Sequence, residues 1–358
     1  MRRLFQPRRY SSMPIVPTVL LIVCVGMIAG CSNRSPSTAN DPDAEQTRIR
    51  TVAVTSWPLY AIASQLVSED ATPIPNEFGD DESGNVDPAP SVHQPFRIEA
   101  VVGNGELSID WKPSLDDVRR IQDADLLLIN GAGFEPWRDR ITLPRSRMID
   151  TASGYYDQFL RIPDALTHQH GPDGKHSHPG TIWATWLDAE LMASQARQVE
   201  AALSKLAPDS ADAIARRAAA LQRQIDRLEQ AINKLAAATS RNPPKVLADG
   251  PQFNYLAKKL GWTVKYLHWP LPSTTAELSA AEVAEFQQAV QDEQFDVFLA
   301  VTGRGQDVQN LAESAQLPLV SIDLCERIRD DSGSIIDRLA ANIKRLSAVC
   351  ASDDTVNK

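Results

Sequence analysis

Three motifs that would announce an enzyme are missing from these 358 residues. There is no Gly-x-Ser-x-Gly, no His-Glu-x-x-His and no Walker glycine loop, so the chain has no nucleophile elbow, no zinc-protease helix and no phosphate cradle. Positive charge is scarce as well, with 36 Lys and Arg against 46 Asp and Glu. Residues 1–30 hold four arginines and no acid, so the formal charge of −10 for the whole chain becomes −14 beyond them. That balance excludes nucleic acid as a partner. Cysteine is limited to four residues, and the apolar run from Val16 to Ala29 falls short of the ~20 residues that cross a bilayer.

What stands at the N-terminus is a lipoprotein signal. Arg2, Arg3, Arg8 and Arg9 form a charged region, the apolar run follows, and Ala29-Gly30 precede Cys31. Cleavage before Cys31 and lipid on its thiol tie the protein to a membrane on the periplasmic side, because each buried lipid methylene contributes about 0.8 kcal/mol. Cys24 leaves with residues 1–30. Cys325 and Cys350 remain, either as a disulfide suited to an oxidising compartment or as two thiols, since the sequence does not set their α-carbon distance. Residues 31–47 are rich in Ser, Asn, Pro and Asp and read as a flexible tether.

From Ile49 onward, short β-branched runs alternate with amphipathic segments, which predicts an α/β fold with parallel sheets. The clearest period is Ile214, Ala218, Leu221, Ile225, Leu228, Ile232 and Leu235, one apolar seam on a long helix ended by Asn242-Pro243-Pro244. The pattern divides the chain into an α/β lobe over 48–208, a linking helix over 209–241 and a second α/β lobe over 242–351. The first lobe carries an acidic, Pro-rich insertion at 68–94. The seam fits a spine packed against its own lobes, with a coiled-coil dimer stem as the alternative.

Four of the six histidines, His168, His170, His176 and His178, crowd into the segment 167–180. Gly171, Pro172, Gly174, Pro179 and Gly180 make that segment a loop, and neutral imidazoles on a loop can converge on zinc, copper, nickel or iron. Gly303-Arg304-Gly305 reads as an ordinary turn. The acidic pairs Asp116-Asp117 and Asp330-Asp331 read as solvated helix flanks. Trp57, Trp111, Trp183 and Trp186 serve either as cleft walls or as core.

Taken in order, several blocks resemble the zinc/manganese solute-binding lipoproteins of metal ABC transporters. They are Val52 to Tyr60 with its Trp57-Pro58-Leu59 turn, Asp110-Trp111-Lys112-Pro113-Ser114, Ala124-Asp125-Leu126, and Asn130-Gly131-Ala132-Gly133-Phe134-Glu135 with Trp137. Trp186-Leu187-Asp188, the helix of Phe253 and Tyr255, and Asp323 complete the series. The resemblance implies a monomeric, non-enzymatic receptor of two parallel-sheet lobes joined by a long helix. It also implies a divalent metal as cargo, zinc first and manganese or iron as alternatives, and an ABC permease as partner. Its metal sits between the lobes on three histidines and a carboxylate. Here Ile109, Ala184 and Gly250 occupy the three histidine positions, and Asp323 alone falls at the carboxylate. A site rebuilt from loop histidines with Asp323 and Asp110 is the first reading. An organic or chelated solute held by Trp111, Trp183, His268 and Trp269 is the second, and an adhesion role through the 68–94 insertion is the third.

Overall fold

The computed structural model describes residues 48–68, 95–103, 106–143, 145–162, 168–169, 175–176, 180–272, 277–327 and 334–353. The signal segment, the tether with Cys31, most of the insertion and Asp330-Asp331 lie outside them. In the first lobe, β1 (Arg50–Val54) runs parallel to β2 (Phe96–Ala100) on one side and to β3 (Leu126–Ile129) on the other, and β3 pairs with β4 (Met148–Asp150). Strand β3 is a four-residue apolar run buried along its whole length, as a strand covered on both faces must be.

The second lobe repeats the plan. Strand β7 (Lys245–Ala248) lies between β8 (Thr263–Tyr266) and β9 (Val297–Val301), and β10 (Leu319–Ile322) pairs with β9, all parallel. The spatial orders β2-β1-β3-β4 and β8-β7-β9-β10 are therefore the same winding used twice.

The helices between these strands start where the sequence offers caps. In α1 (Trp57–Val67) Pro58 sits in the first turn, where its missing N–H costs nothing. Ser114 and Asp117 form a reciprocal capping box on α2 (Leu115–Asp123). Asp188 accepts the N–H groups of Glu190 and Leu191 to start α3 (Ala189–Leu206).

The long helix is α4 (Ala211–Thr239), and it joins the two lobes. Six of its seven seam residues, Ile214, Leu221, Ile225, Leu228, Ile232 and Leu235, are buried, with Ala218 half-buried beside them. They face α1, α3, α5 (Asn254–Leu260) and the closing helix α8 (Ile335–Asp353). The seam is thus satisfied within the chain, and no dimer stem is needed to cover it. Helices α6 (Ala280–Asp292) and α7 (Gln306–Ser314) flank the second sheet, with Phe286, Phe298 and Trp269 in a separate small core. Among the described residues, no helix is long and apolar enough to cross a membrane.

Candidate metal-binding region

Ligands of open parallel sheets bind at the carboxyl ends of the strands, where the winding order reverses. In this chain those two places lie beside β1/β3 and β7/β9, and a carboxylate of the protein fills each one. Glu135 accepts the Thr55 hydroxyl at 2.6 Å and the N–H groups of Asn130 and Gly131 at 2.8 and 3.0 Å. It is fully buried, and burial pushes its carboxyl up to about 7 against those three donors. Asn130 in turn donates to the Trp183 carbonyl and receives Gln195.

In the second lobe Asp249 accepts the Val301 N–H, Arg304 Nε and the Gln252 amide, at 2.9, 2.9 and 2.8 Å. Burial pushes Asp249 upward while Arg304 pulls it back. The Arg304 guanidinium lies over the Trp269 ring, 5.2 Å from its centroid. The Gly303-Arg304-Gly305 turn, with Gly303 in the left-handed region at φ +100°, serves this internal pair.

The lobes touch through polar contacts close to the strand ends. Trp186 Nε1 donates to the Leu324 carbonyl at 2.7 Å, and the Leu160 N–H donates to the Tyr255 hydroxyl at 3.0 Å. Lys259 of α5 reaches Glu190, Asp188 and Glu229 at 2.8, 3.4 and 3.7 Å. The three positions where the resemblance places histidine ligands are all described. Ile109 packs half-buried against the main core, Ala184 is fully buried, and Gly250 is buried with its Cα facing the Gln252 side chain. None of the three offers a donor side chain.

Asp323 follows β10 but is already engaged: its Oδ2 accepts Arg338 Nε at 2.7 Å and Arg338 Nη2 at 2.6 Å, and its Oδ1 accepts the Cys325 N–H at 2.9 Å. Asp110 is exposed in a turn closed by its own N–H on the Leu107 carbonyl. Among the described residues, no three His, Cys, Asp or Glu side chains converge as a metal site.

Of the histidine segment 167–180, only 168–169, 175–176 and 180 belong to the described residues. Leu160–Ile162 pairs antiparallel with Gly180–Ile182, through Ile162 N–H to the Gly180 carbonyl and Ile182 N–H to the Leu160 carbonyl. Farther out, β5 (His168–Gln169) pairs antiparallel with β6 (Lys175–His176), and His168 is the register partner of His176. Between the two strands the sequence reads His170-Gly171-Pro172-Asp173-Gly174, which lies outside the described residues. His170 and His178 lie outside the described residues.

Two alternatives that the sequence left open are decided. The disulfide weighed for Cys325 and Cys350 is not formed: Cys325 is a buried thiol whose pKa burial raises well above its ordinary value, and Cys350 is half-buried against the core. The tryptophans are packing residues. Trp111 stacks edge-on to Trp137, Trp183 lies on Phe134 and Trp186, and Trp269 packs on Phe286 and Phe298. His268 is exposed and bound to Glu285 at 2.9 Å. The buried carboxylates Glu135 and Asp249 escape a sequence reading, whose one signal is that each directly follows or closes an apolar strand and its loop.

Comparison with known proteins follows the same lines. The sequence model of the family described as ZnuA, zinc-uptake complex component A, periplasmic, matches residues 93–349. The zinc-binding lipoprotein AdcA of Streptococcus pneumoniae is 22% identical over 282 residues, which are 77% of this chain and 48% of that protein. The chain thus spans about half the length of that relative. The high-affinity zinc uptake system protein ZnuA of Bacillus subtilis is 23% identical over 280 residues, 75% of each chain. Among solved structures, the Zn(II)-bound ZnuA-like domain of S. pneumoniae AdcA superposes with a TM-score of 0.62 at 20% identity, covering 84% of this chain and 99% of that one. This last likeness carries the fold.

Proposed function

The chain belongs to the family of periplasmic zinc-uptake complex component A, whose members are solute-binding proteins rather than enzymes, and on that premise we propose that it captures a divalent metal ion outside the cytoplasm and delivers it to an ABC permease. Zinc is the first candidate for the cargo, the ion named for both relatives, with manganese and iron behind it. The protein is a lipoprotein held at the membrane through Cys31 and acts as a monomer, the long seam of α4 being covered from within. The observation that carries this reading is the family match over 93–349, which spans both sheets except β1 together with the whole of the linking helix.

The metal is held by the hairpin histidines. His168 and His176 are register partners along the backbone, and His170 and His178 follow each two residues later in the sequence. Two or three imidazoles with water or an exposed carboxylate such as Asp110 suit tetrahedral zinc. Ligating imidazoles must be unprotonated, so binding weakens as pH falls below about 6.5.

Calorimetric titration of the purified chain with zinc and manganese tests this. Single-site zinc binding, lost when His168, His170, His176 and His178 are replaced by alanine, is the expected result. A chain that takes up neither metal at micromolar concentration sinks the reading.

A further inference from the structure

Asp323 is the carboxylate at which a cation would be sought first, and a cation is already there. Its Oδ2 receives two N–H groups of Arg338, at 2.7 and 2.6 Å, and its Oδ1 receives the Cys325 N–H. Asn342 of α8 fixes the backbone on both sides, accepting the Asp323 N–H at 2.9 Å and donating to its carbonyl at 2.8 Å. The Arg338 guanidinium lies over the ring of Trp57, 4.4 Å from its centroid. Trp57 belongs to the first lobe and is itself buried, so the pair lies where α8 of the second lobe meets α1 of the first.

We infer that Arg338 is a built-in cation occupying the interlobe carboxylate in place of cargo, and that the chain binds its metal without Asp323. This rests on the metal-capture reading above for what the cargo is. Four observations support it. The side chains of Asp323 and Arg338 are only 16% and 13% exposed, so water screens their attraction weakly. A guanidinium keeps its charge at any pH a folded protein meets, so no physiological change of pH vacates the carboxylate. A dication bound there would stand against a fixed positive charge that cannot withdraw without leaving both its partner and the Trp57 face. Finally, Ile109, Ala184 and Gly250 supply no donors to offset that repulsion, and among the described residues no three His, Cys, Asp or Glu side chains converge as a metal site.

Two measurements on the full chain decide the matter. The first is zinc titration of Asp323→Asn beside His168→Ala/His176→Ala. The asparagine variant should shift the zinc dissociation constant by less than about threefold, and the histidine variant should weaken it at least tenfold. A tenfold loss in Asp323→Asn makes Asp323 a ligand and overturns the inference.

The second measurement is denaturant unfolding in metal-free buffer of Asp323→Asn, Arg338→Met and the double variant. Each single change should lower the folded-to-unfolded ratio more than tenfold, with the double variant losing far less than the product of the two. Multiplicative losses mean no functional pair and also overturn it. This cycle needs no metal, so a parent chain that takes up no zinc defeats the metal-capture reading while leaving the cycle to judge the pair. Should Asp323→Asn not fold, Arg338→Met alone carries the zinc test: zinc affinity should stay within about threefold of the parent's, and a tenfold change in either direction contradicts the inference.

Discussion

Glu135 shows how a single side chain ties the fold to pH. Its carboxyl titrates near 4.5 in an unfolded chain and is pushed up to about 7 by burial in the native state. Between those values the folded protein holds a proton that the unfolded chain has released. The stability this residue contributes is therefore complete below about 4.5 and is lost as pH rises through about 7, by up to about 3 kcal/mol. Glu135→Gln removes the titration, so urea unfolding followed from pH 5 to 8 should lose most of its downward slope. The variant should also be less stable at pH 5 by about 1–3 kcal/mol, because an amide nitrogen must face a backbone N–H on one side. An unchanged slope would place the titrating group elsewhere. Residue-scale features of this kind were the least legible in the sequence. Asp323 could be singled out by the family resemblance, but the capture of its carboxylate by Arg338, fifteen residues on, exists only because α8 packs beside β10. The same holds for Asp249 and Arg304, fifty-five residues apart and joined where β7 and β9 end side by side.

At the scale of elements, sequence periodicity carried far. The seam of α4 was readable because bulky aliphatics repeat at steps of three and four among charged residues. Strands β3 and β9 were readable because continuous apolar runs leave no solvent face. Helix α3 was hidden for a physical reason: four of its nine buried residues are alanines (Ala189, Ala193, Ala196 and Ala202) and a fifth is Gln195, so the contrast between its faces is weakened. The short pairing of His168–Gln169 with Lys175–His176 had no sequence signal, because polar residues show no apolar alternation. The spine itself makes a direct prediction. Leu228 is 2% exposed at the centre of the seam, so Leu228→Ala should cost about 2–5 kcal/mol in denaturant unfolding. It should do so in one cooperative transition, because α1, α3, α5 and α8 all rest on that helix. Two separated transitions would mean that the lobes unfold independently and that α4 is a linker rather than a shared core.

The whole molecule is a doubled winding on one helix, with each sheet's natural ligand crevice filled by the protein's own carboxylate and the interlobe carboxylate held by its own arginine. The proposed cargo site, the histidine segment 167–180, follows the strand-like pairing of 160–162 with 180–182. Export and anchoring belong to this scale too. The tryptic peptide Cys31–Arg34 from membrane-extracted protein should carry acyl mass on its first residue, and a peptide still continuous with Met27-Ile28-Ala29-Gly30 would rule out cleavage. The central claim, a divalent metal held by hairpin imidazoles and not by Asp323, is tested most directly by zinc-edge X-ray absorption of the chain loaded with one equivalent of the ion. The account predicts two or more imidazole nitrogens at ~2.0–2.1 Å, and the same spectrum from Asp323→Asn. A shell of oxygens without imidazole, or a spectrum that changes when Asp323 is replaced, would contradict it.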